Sequence, residues 1–199
     1  MDLVFKSILI GYFILFIGFG LLYRTYIIYK KTSINALNQV PEDPTLKILA
    51  VAFKIHLLLV VGLIIDYTNG FGFLTAERFE FMDPAIAGSL GSILLIFCLA
   101  LIIHSQNQMK SSWRIEIDSS NKAELITEGI FKYSRNPIFL ALRASYFAMF
   151  LIIPCPYSLF VFLMGDICFQ LQVRKEEQYL QDIYGEEYRN YSSHVRRWL

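Results

Sequence analysis

Arg135, in a short basic loop, and the paired carboxylates Glu176 and Glu177 are the residues best suited to bind a charged ligand. An arginine presents a planar fork of donors that fits a carboxylate. A glutamate accepts hydrogen bonds from hydroxyl groups or pairs with an amino group. Each group adjoins an apolar stretch, and polar groups at a membrane boundary usually bind something charged. Taken singly, Arg135 also fits a membrane anchor, and the pair also fits a solvated helix face.

The residues around Arg135 predict how that loop folds. Gly129 permits a tight turn or a close backbone approach to a ligand. Pro137 suits the first turn of a helix, where its missing N–H costs nothing. The free backbone N–H groups at such a helix start favour an anionic group.

The composition is that of a membrane protein rather than a soluble domain. Of the 199 residues 55% are hydrophobic, and the mean hydropathy is +0.47. A net charge of +1 gives no reason to expect nucleic-acid binding. Cys98, Cys155 and Cys168 lie in or near apolar runs without metal-type spacing, so we expect packing residues and no metal site.

Apolar runs predict an all-α, multi-pass membrane protein with about five transmembrane helices. The runs cover residues 3–23, 48–65, 85–103, 138–153 and 157–171. The short link at residues 154–156 predicts that the last two helices form an antiparallel pair. We expect residues 1–104 to form a three-span region. Residues 105–199 would then contain the basic loop, the helical pair and a polar C-terminal helix that breaks at Gly185.

The distribution of lysine and arginine predicts the orientation in the membrane. The first and third loops and the tail are basic, whereas the second loop is mostly acidic. Cytoplasmic loops carry the excess of lysine and arginine, so we expect a cytoplasmic C-terminus and an external second loop. The membrane would be a cell inner membrane or an endomembrane, and Arg135 and Glu176 would face the cytosol.

Two charged residues lie inside the predicted helical pair. Arg143 precedes the turn at Cys155 by 12 residues and Asp166 follows it by 11. At about 1.5 Å per residue the two reach a similar depth. Because a lone charge there is costly, we predict that they pair directly or through one water.

Several elements together resemble the C-terminal signature of the isoprenylcysteine carboxyl methyltransferase and phospholipid methyltransferase family. Residues 125–131 are similar to a Leu-Val-Thr-x-Gly-x-Tyr run, and residues 135–139 to Arg-His-Pro-x-Tyr. The Glu-Glu pair, residues 184–188 and the basic-aromatic residues 195–198 follow in the family's order. Trp113-Arg114 is similar to a pair that precedes the signature in some bacterial members.

The resemblance implies a site for S-adenosyl-L-methionine. Carried over by position, its cofactor-binding residues would be Leu125, Ile126, Gly129, Phe131, Arg135, Asn136, Pro137, Phe139, Glu176 and Glu177. The candidate catalytic residues are Asn136 and Arg174. Asn136 replaces the histidine of many members and cannot titrate near neutral pH. Gln172 replaces an arginine that helps to hold substrate in the eukaryotic enzymes, so Arg174 is the nearest cation.

The function that the resemblance implies is methyl transfer to a lipophilic or membrane-held acceptor, either a carboxylate or an amine. Membrane lipid and a lipophilic or lipidated substrate are the expected partners, and no nucleic acid is expected. Within the site, Arg135 would hold the methionine carboxylate and Glu176 the ribose hydroxyls or the amino group. Two alternatives remain: an NADPH-dependent sterol or enone reductase, which shares this C-terminal region, and a non-catalytic membrane scaffold. The sequence leaves the acceptor and the oligomeric state open.

Overall fold

The computed structural model describes residues 2–32, 43–80, 83–109 and 125–199, and all regular structure within these ranges is helical. The elements in chain order are α1 (Asp2–Leu15), a π-helical stretch (Phe16–Tyr23), α2 (Arg24–Thr32), α3 (Pro44–Asn69), α4 (Pro84–Met109), a 3-10 turn (Gly129–Lys132), α5 (Pro137–Ile152), α6 (Pro156–Tyr184) and α7 (Glu186–His194). The predicted all-α class is confirmed. Trp113, Arg114 and Lys122 lie outside the described residues.

Four of the described helical segments are long and apolar enough to cross a membrane: Asp2–Ile27, Pro44–Asn69, Pro84–Met109 and Pro156–Tyr184. The first three have 26 residues each, which makes them about 39 Å long, more than the roughly 30 Å of a hydrocarbon core. The apolar helix α5 has only 16 residues, or about 24 Å. The structure therefore has four to five helices that could cross a membrane.

The first helix changes its winding midway, at the π-helical stretch Phe16–Tyr23. The Gly20 carbonyl accepts a hydrogen bond from Gln106 Nε2 at 2.8 Å. The guanidinium of Arg24 in turn donates to the Gln106 carbonyl. Such π-helical segments are often functional or locally strained; here the widened turn supplies a carbonyl that binds α4.

The centre of the bundle is the packing of α4 against α5. A Cβ at Gly91 would lie 2.6 Å from the Ala148 carbonyl oxygen, so only glycine allows this backbone approach. The Tyr12 hydroxyl donates to Ser145 Oγ at 2.8 Å, and this bond attaches α1 to α5. Leu63 of α3 also belongs to this core. The core therefore includes residues from both segments, 1–104 and 105–199.

One end of the bundle is organised by the turn between α5 and α6. Cys155 and Ser158 cap α6 reciprocally, and Pro156 occupies its first turn. Phe79 N donates to the Pro154 carbonyl at 2.7 Å, which holds the second loop on this turn. The Asp66 carboxylate folds the start of that loop, because it accepts backbone hydrogen bonds from residues 73–75.

The opposite end joins the start of α3 to the polar end of α6. Asp43 caps α3 through the backbone N–H groups of Thr45 and Leu46. Lys175 forms an ion pair with Asp43 at 3.1 Å. This contact holds the pKa of Asp43 down at about 2. The first loop and the C-terminal part of the chain thus meet at one end of the bundle, and the loop charges predict the same side for both.

Arg143 and Asp166 form a direct ion pair through Arg143 Nε, as the sequence predicted. Gln170, on the same helix, donates to the other carboxylate oxygen of Asp166. The Arg143 guanidinium also lies over the ring of Trp198, 4.3 Å from its centroid. The pair therefore links α5, α6 and the C-terminal residues.

The orientation can be tested by cysteine labelling in sealed cells. Cys98, Cys155 and Cys168 are all buried, so their background labelling should be low. We expect a membrane-impermeant reagent added outside to label Glu77→Cys, because Glu77 is exposed in the second loop and loops that are poor in lysine and arginine are favoured outside. Lys122→Cys should stay unlabelled until the membrane is opened. Labelling of Lys122→Cys in intact cells would contradict the orientation.

Candidate functional site

The basic loop, residues 129–136, begins with a turn that only glycine fits well. Gly129 has a φ of 63°, in the left-handed region. A Cβ there would lie 2.4 Å from Gln108 Oε1. The same oxygen accepts a hydrogen bond from Ile130 N at 2.8 Å. The predicted tight turn is present, and the close approach is to the end of α4.

Helix α5 begins where the sequence predicted, with Pro137 in its first turn. Asn136 occupies the N-cap position, but its side chain makes no capping hydrogen bond. Its Nδ2 instead donates to Glu177 Oε1 at 3.0 Å. The amide of Asn136 is therefore directed across to α6, where it joins the second element of the signature.

The Glu177 carboxylate is the centre of the site and is 9% exposed. Its Oε1 accepts from Arg135 Nε at 3.1 Å and from Asn136 Nδ2. Its Oε2 accepts from Arg135 Nη2 at 3.3 Å, and from Arg197 Nε and Nη2 at 3.0 and 2.7 Å. A carboxylate has roughly four lone-pair sites that can accept hydrogen bonds, so these five bonds leave none of them unused. Glu177 is thus saturated by the protein itself.

Residues 195–199, which we call the C-terminal strap, return to the basic loop after α7. Arg135 N donates to the Arg196 carbonyl at 3.0 Å. The Arg197 carbonyl accepts from Ser134 Oγ at 3.3 Å and from Asn136 Nδ2 at 3.4 Å. Arg135 Nη1 donates to the Ser192 carbonyl of α7 at 2.7 Å. The strap therefore joins the network that Glu177 organises.

The charges of the network perturb the groups around it. The hydrogen bonds from Arg197 to Glu177 raise the pKa of its guanidinium, so Arg197 remains a cation. Burial raises the pKa of Tyr191 to about 12, although the charge of Arg135 opposes the rise. Burial also raises the pKa of Tyr188, and the carboxylate of Glu177 adds to the effect. Both tyrosines are therefore protonated and neutral at physiological pH.

Glu176 differs from its neighbour in having no partner among the residues that the structure describes. Its side chain is half-buried, and it makes no hydrogen bond or ion pair with the residues that the structure describes. Successive helix residues point about 100° apart, which explains why only Glu177 enters the network. Glu176 is the carboxylate left available for a ligand.

The remaining predicted residues lie outside the hydrogen bonds to Glu177, and they differ in burial and in what they contact. Phe131 is buried, and its carbonyl accepts from the Tyr191 hydroxyl at 2.7 Å. Phe139 packs on Phe169 of α6, with 5.8 Å between ring centroids. Leu125 and Ile126 are half-buried in the irregular segment before the turn. Arg174 is exposed, and it does not enter the network.

Sequence reasoning did not assign several residues that the structure places in or beside the network, among them Arg197, Ser192 and Tyr191. Arg197 belongs to the basic-aromatic residues 195–198, and that pattern is the signal that could have identified it. Ser192 takes part through its carbonyl, so its residue type gives no signal. Tyr191 lies on α7, six residues after the break at Gly185, and its hydroxyl reaches Phe131 of the loop.

Comparison with known proteins gives a family and one short relative. An uncharacterized protein of Haemophilus influenzae is 53% identical over 30 residues, which are 15% of this chain and 48% of that protein. This chain thus spans about half the length of that curated relative. The sequence profile of phospholipid methyltransferases matches residues 86–187, just over half of the 199 residues. The matched segment includes α5, α6 and most of the Glu177 network, and the chain belongs to the phospholipid methyltransferase family.

Proposed function

We propose that this protein transfers the methyl group of S-adenosyl-L-methionine to a lipophilic or membrane-held acceptor. The observation that carries the proposal is the pair of adjacent carboxylates in the family segment. Glu177 is saturated by Arg135, Asn136 and Arg197, whereas Glu176 beside it has no described partner. A carboxylate left available at the rim of a fixed polar network is suited to bind a ligand that carries donors.

We propose that some of these residues hold the site together and that others contact the ligand. Arg135, Asn136 and Glu177 bond to one another and to the strap, so we propose that they hold the loop and α6 together. In the sequence-based hypothesis Arg135 binds the methionine carboxylate. The structure adds a role in holding the site together, because three of its bonds go to Glu177 and Ser192. Glu176 then contacts the ribose hydroxyls or the amino group of the cofactor.

The bound cofactor supplies an electrophilic methyl group on a sulfonium. The protein has to align the acceptor with that methyl group and exclude water. Asn136 is held by Glu177, so we propose a positioning role for it and no role as a general base. Arg174 is exposed near the end of α6 and remains the candidate for holding an anionic acceptor. The acceptor, a carboxylate or an amine, would enter from the bilayer, and the cofactor from the cytosol.

Titration of S-adenosyl-L-methionine into detergent-solubilised protein tests the proposal. We expect Glu176→Gln to weaken binding roughly tenfold or more, because it removes a charge-assisted hydrogen bond of about 1.5–3 kcal/mol. Its apparent Tm without ligand should stay unchanged, since Glu176 has no described partner to lose.

The matched control is Asp182→Asn, which removes an exposed carboxylate of the same helix and should bind like the parent. Equal binding by Glu176→Gln and the parent would place the site elsewhere. A parent that is stabilised by NADPH and not by S-adenosyl-L-methionine would favour the reductase alternative.

A further inference from the structure

The hydroxyl of Tyr188 is an unsatisfied polar group inside the site. Tyr188 lies on α7 with 4% of its surface exposed, and its hydroxyl has no hydrogen-bond partner among the described residues. Tyr191, one turn later on the same face, gives the contrast, because its hydroxyl donates to the Phe131 carbonyl at 2.7 Å. The two rings contact edge to face, with centroids 6.1 Å apart. The Tyr191 hydroxyl thus binds the 3-10 turn at Phe131, whereas the Tyr188 hydroxyl makes no hydrogen bond with the described residues.

A buried hydroxyl without a partner is unusual, since the great majority of buried polar groups are hydrogen-bonded. The nearest charged groups are not its partners. Glu177 already accepts five hydrogen bonds, and the Arg135 guanidinium donates to Glu177 and to the Ser192 carbonyl. The Tyr188 hydroxyl therefore takes no part in the hydrogen bonds of the Glu177 network.

Glu176 is the exception in the same neighbourhood. Its carboxylate lies within electrostatic reach of Tyr188 and raises the pKa of the Tyr188 phenol, as Glu177 does, whereas Arg135 lowers it. Glu176 has no described partner, and neither does the Tyr188 hydroxyl. Two polar groups from the consecutive helices α6 and α7 are thus left without a partner among the described residues. A ligand group that carries O–H or N–H donors would satisfy both.

We infer that the Tyr188 hydroxyl and the Glu176 carboxylate together bind a donor-bearing group of the methyl donor. Two parts of S-adenosyl-L-methionine carry such donors: the vicinal hydroxyls of the ribose and the ammonium of the methionyl group. Both present a donor to the carboxylate, and both can hydrogen-bond to the phenol oxygen. The inference rests on the proposed function, and it assigns a cofactor contact to α7, a helix from which the sequence assigned none.

Tyr188→Phe tests the inference, because it removes the hydroxyl and keeps the ring. Binding is measured in detergent with S-adenosylhomocysteine, and with 5′-methylthioadenosine, which keeps the ribose but lacks the amino-acid part. We expect Tyr188→Phe to weaken S-adenosylhomocysteine binding roughly five- to tenfold, the effect of one hydrogen bond. A parallel loss with 5′-methylthioadenosine assigns the contact to the ribose; unchanged binding of that ligand assigns it to the ammonium.

The control is Tyr191→Phe on the same helix face. It removes a hydroxyl that does have a partner, so the apparent Tm of its ligand-free form should fall. Tyr188→Phe should leave the ligand-free Tm unchanged or raise it, because no described bond is lost.

Two results would overturn the inference. One is that Tyr188→Phe binds both ligands like the parent. The other is that its ligand-free Tm falls as much as that of Tyr191→Phe, which would reveal an internal partner for the hydroxyl. If the parent binds neither ligand, the proposed function itself fails, and the role of Tyr188 fails with it. Parent binding with an unaffected Tyr188→Phe variant leaves the proposed function intact, so the two failures are distinguishable.

Discussion

Glu177→Gln is expected to destabilise the protein by about 3 kcal/mol or more, because it removes the only anion that the network offers to two arginines. Arg135 and Arg197 would both face a neutral amide, half of which is itself a donor. The strap should then leave the loop. The measurements are the apparent Tm in detergent and the rate of tryptic cleavage after Arg196 and Arg197.

Two further variants separate the parts of this network. Arg197→Ala should release the strap with a smaller fall in Tm, because Glu177 keeps its bonds from Arg135 and Asn136 and because the Arg197 side chain is 38% exposed. Glu176→Gln should change neither Tm nor cleavage. If Glu177→Gln melts like the parent and its strap stays protected, Glu177 does not hold the site together.

The second large effect is expected at the ion pair between α5 and α6. Arg143→Leu and Asp166→Leu should each lower the stability by roughly 3 kcal/mol or more, because each leaves an unpaired charge among apolar helices. The Arg143 variant also loses the contact with Trp198. The Asp166 variant leaves Gln170 without its acceptor as well.

The double variant Arg143→Leu/Asp166→Leu should recover much of that loss, because it removes both charges together. Thermal unfolding of all four proteins in one detergent forms a double-mutant cycle, and the coupling should be large. Additive losses in the double variant would show that the two side chains act independently. That outcome would contradict the importance of the pair, although not its geometry.

Local patterns predicted the helices and several of their ends. Long apolar runs predicted the long apolar helices. Pro137 predicted the start of α5, and Gly185 predicted the break between α6 and α7. The depth argument for Arg143 and Asp166 also succeeded. It needed only a tight turn and a fixed rise per residue, and both are local properties. Where the fold depends on such properties, the sequence is sufficient.

The interior of the site was much less accessible to prediction. The sequence indicated that one of the two glutamates would face differently from the other, but it did not indicate that Glu177 would be saturated. That outcome depends on Arg197, which lies 20 residues further along the chain and reaches Glu177 only after the turn at Gly185. The π-helical stretch was likewise unpredicted, since its sequence is apolar like the rest of the helix.

The manner in which the strap and α7 hold the loop affects how this site can change during evolution. Four of the contacts go to three main-chain carbonyls, those of Ser192, Arg196 and Arg197. A carbonyl accepts a hydrogen bond whatever side chain it belongs to, so positions 192 and 196 can drift in residue type while the loop stays held. Position 197 is constrained through its guanidinium as well. Relatives with unlike residues at positions 192 and 196 can therefore share this architecture, and alignments will understate how much of the site is common.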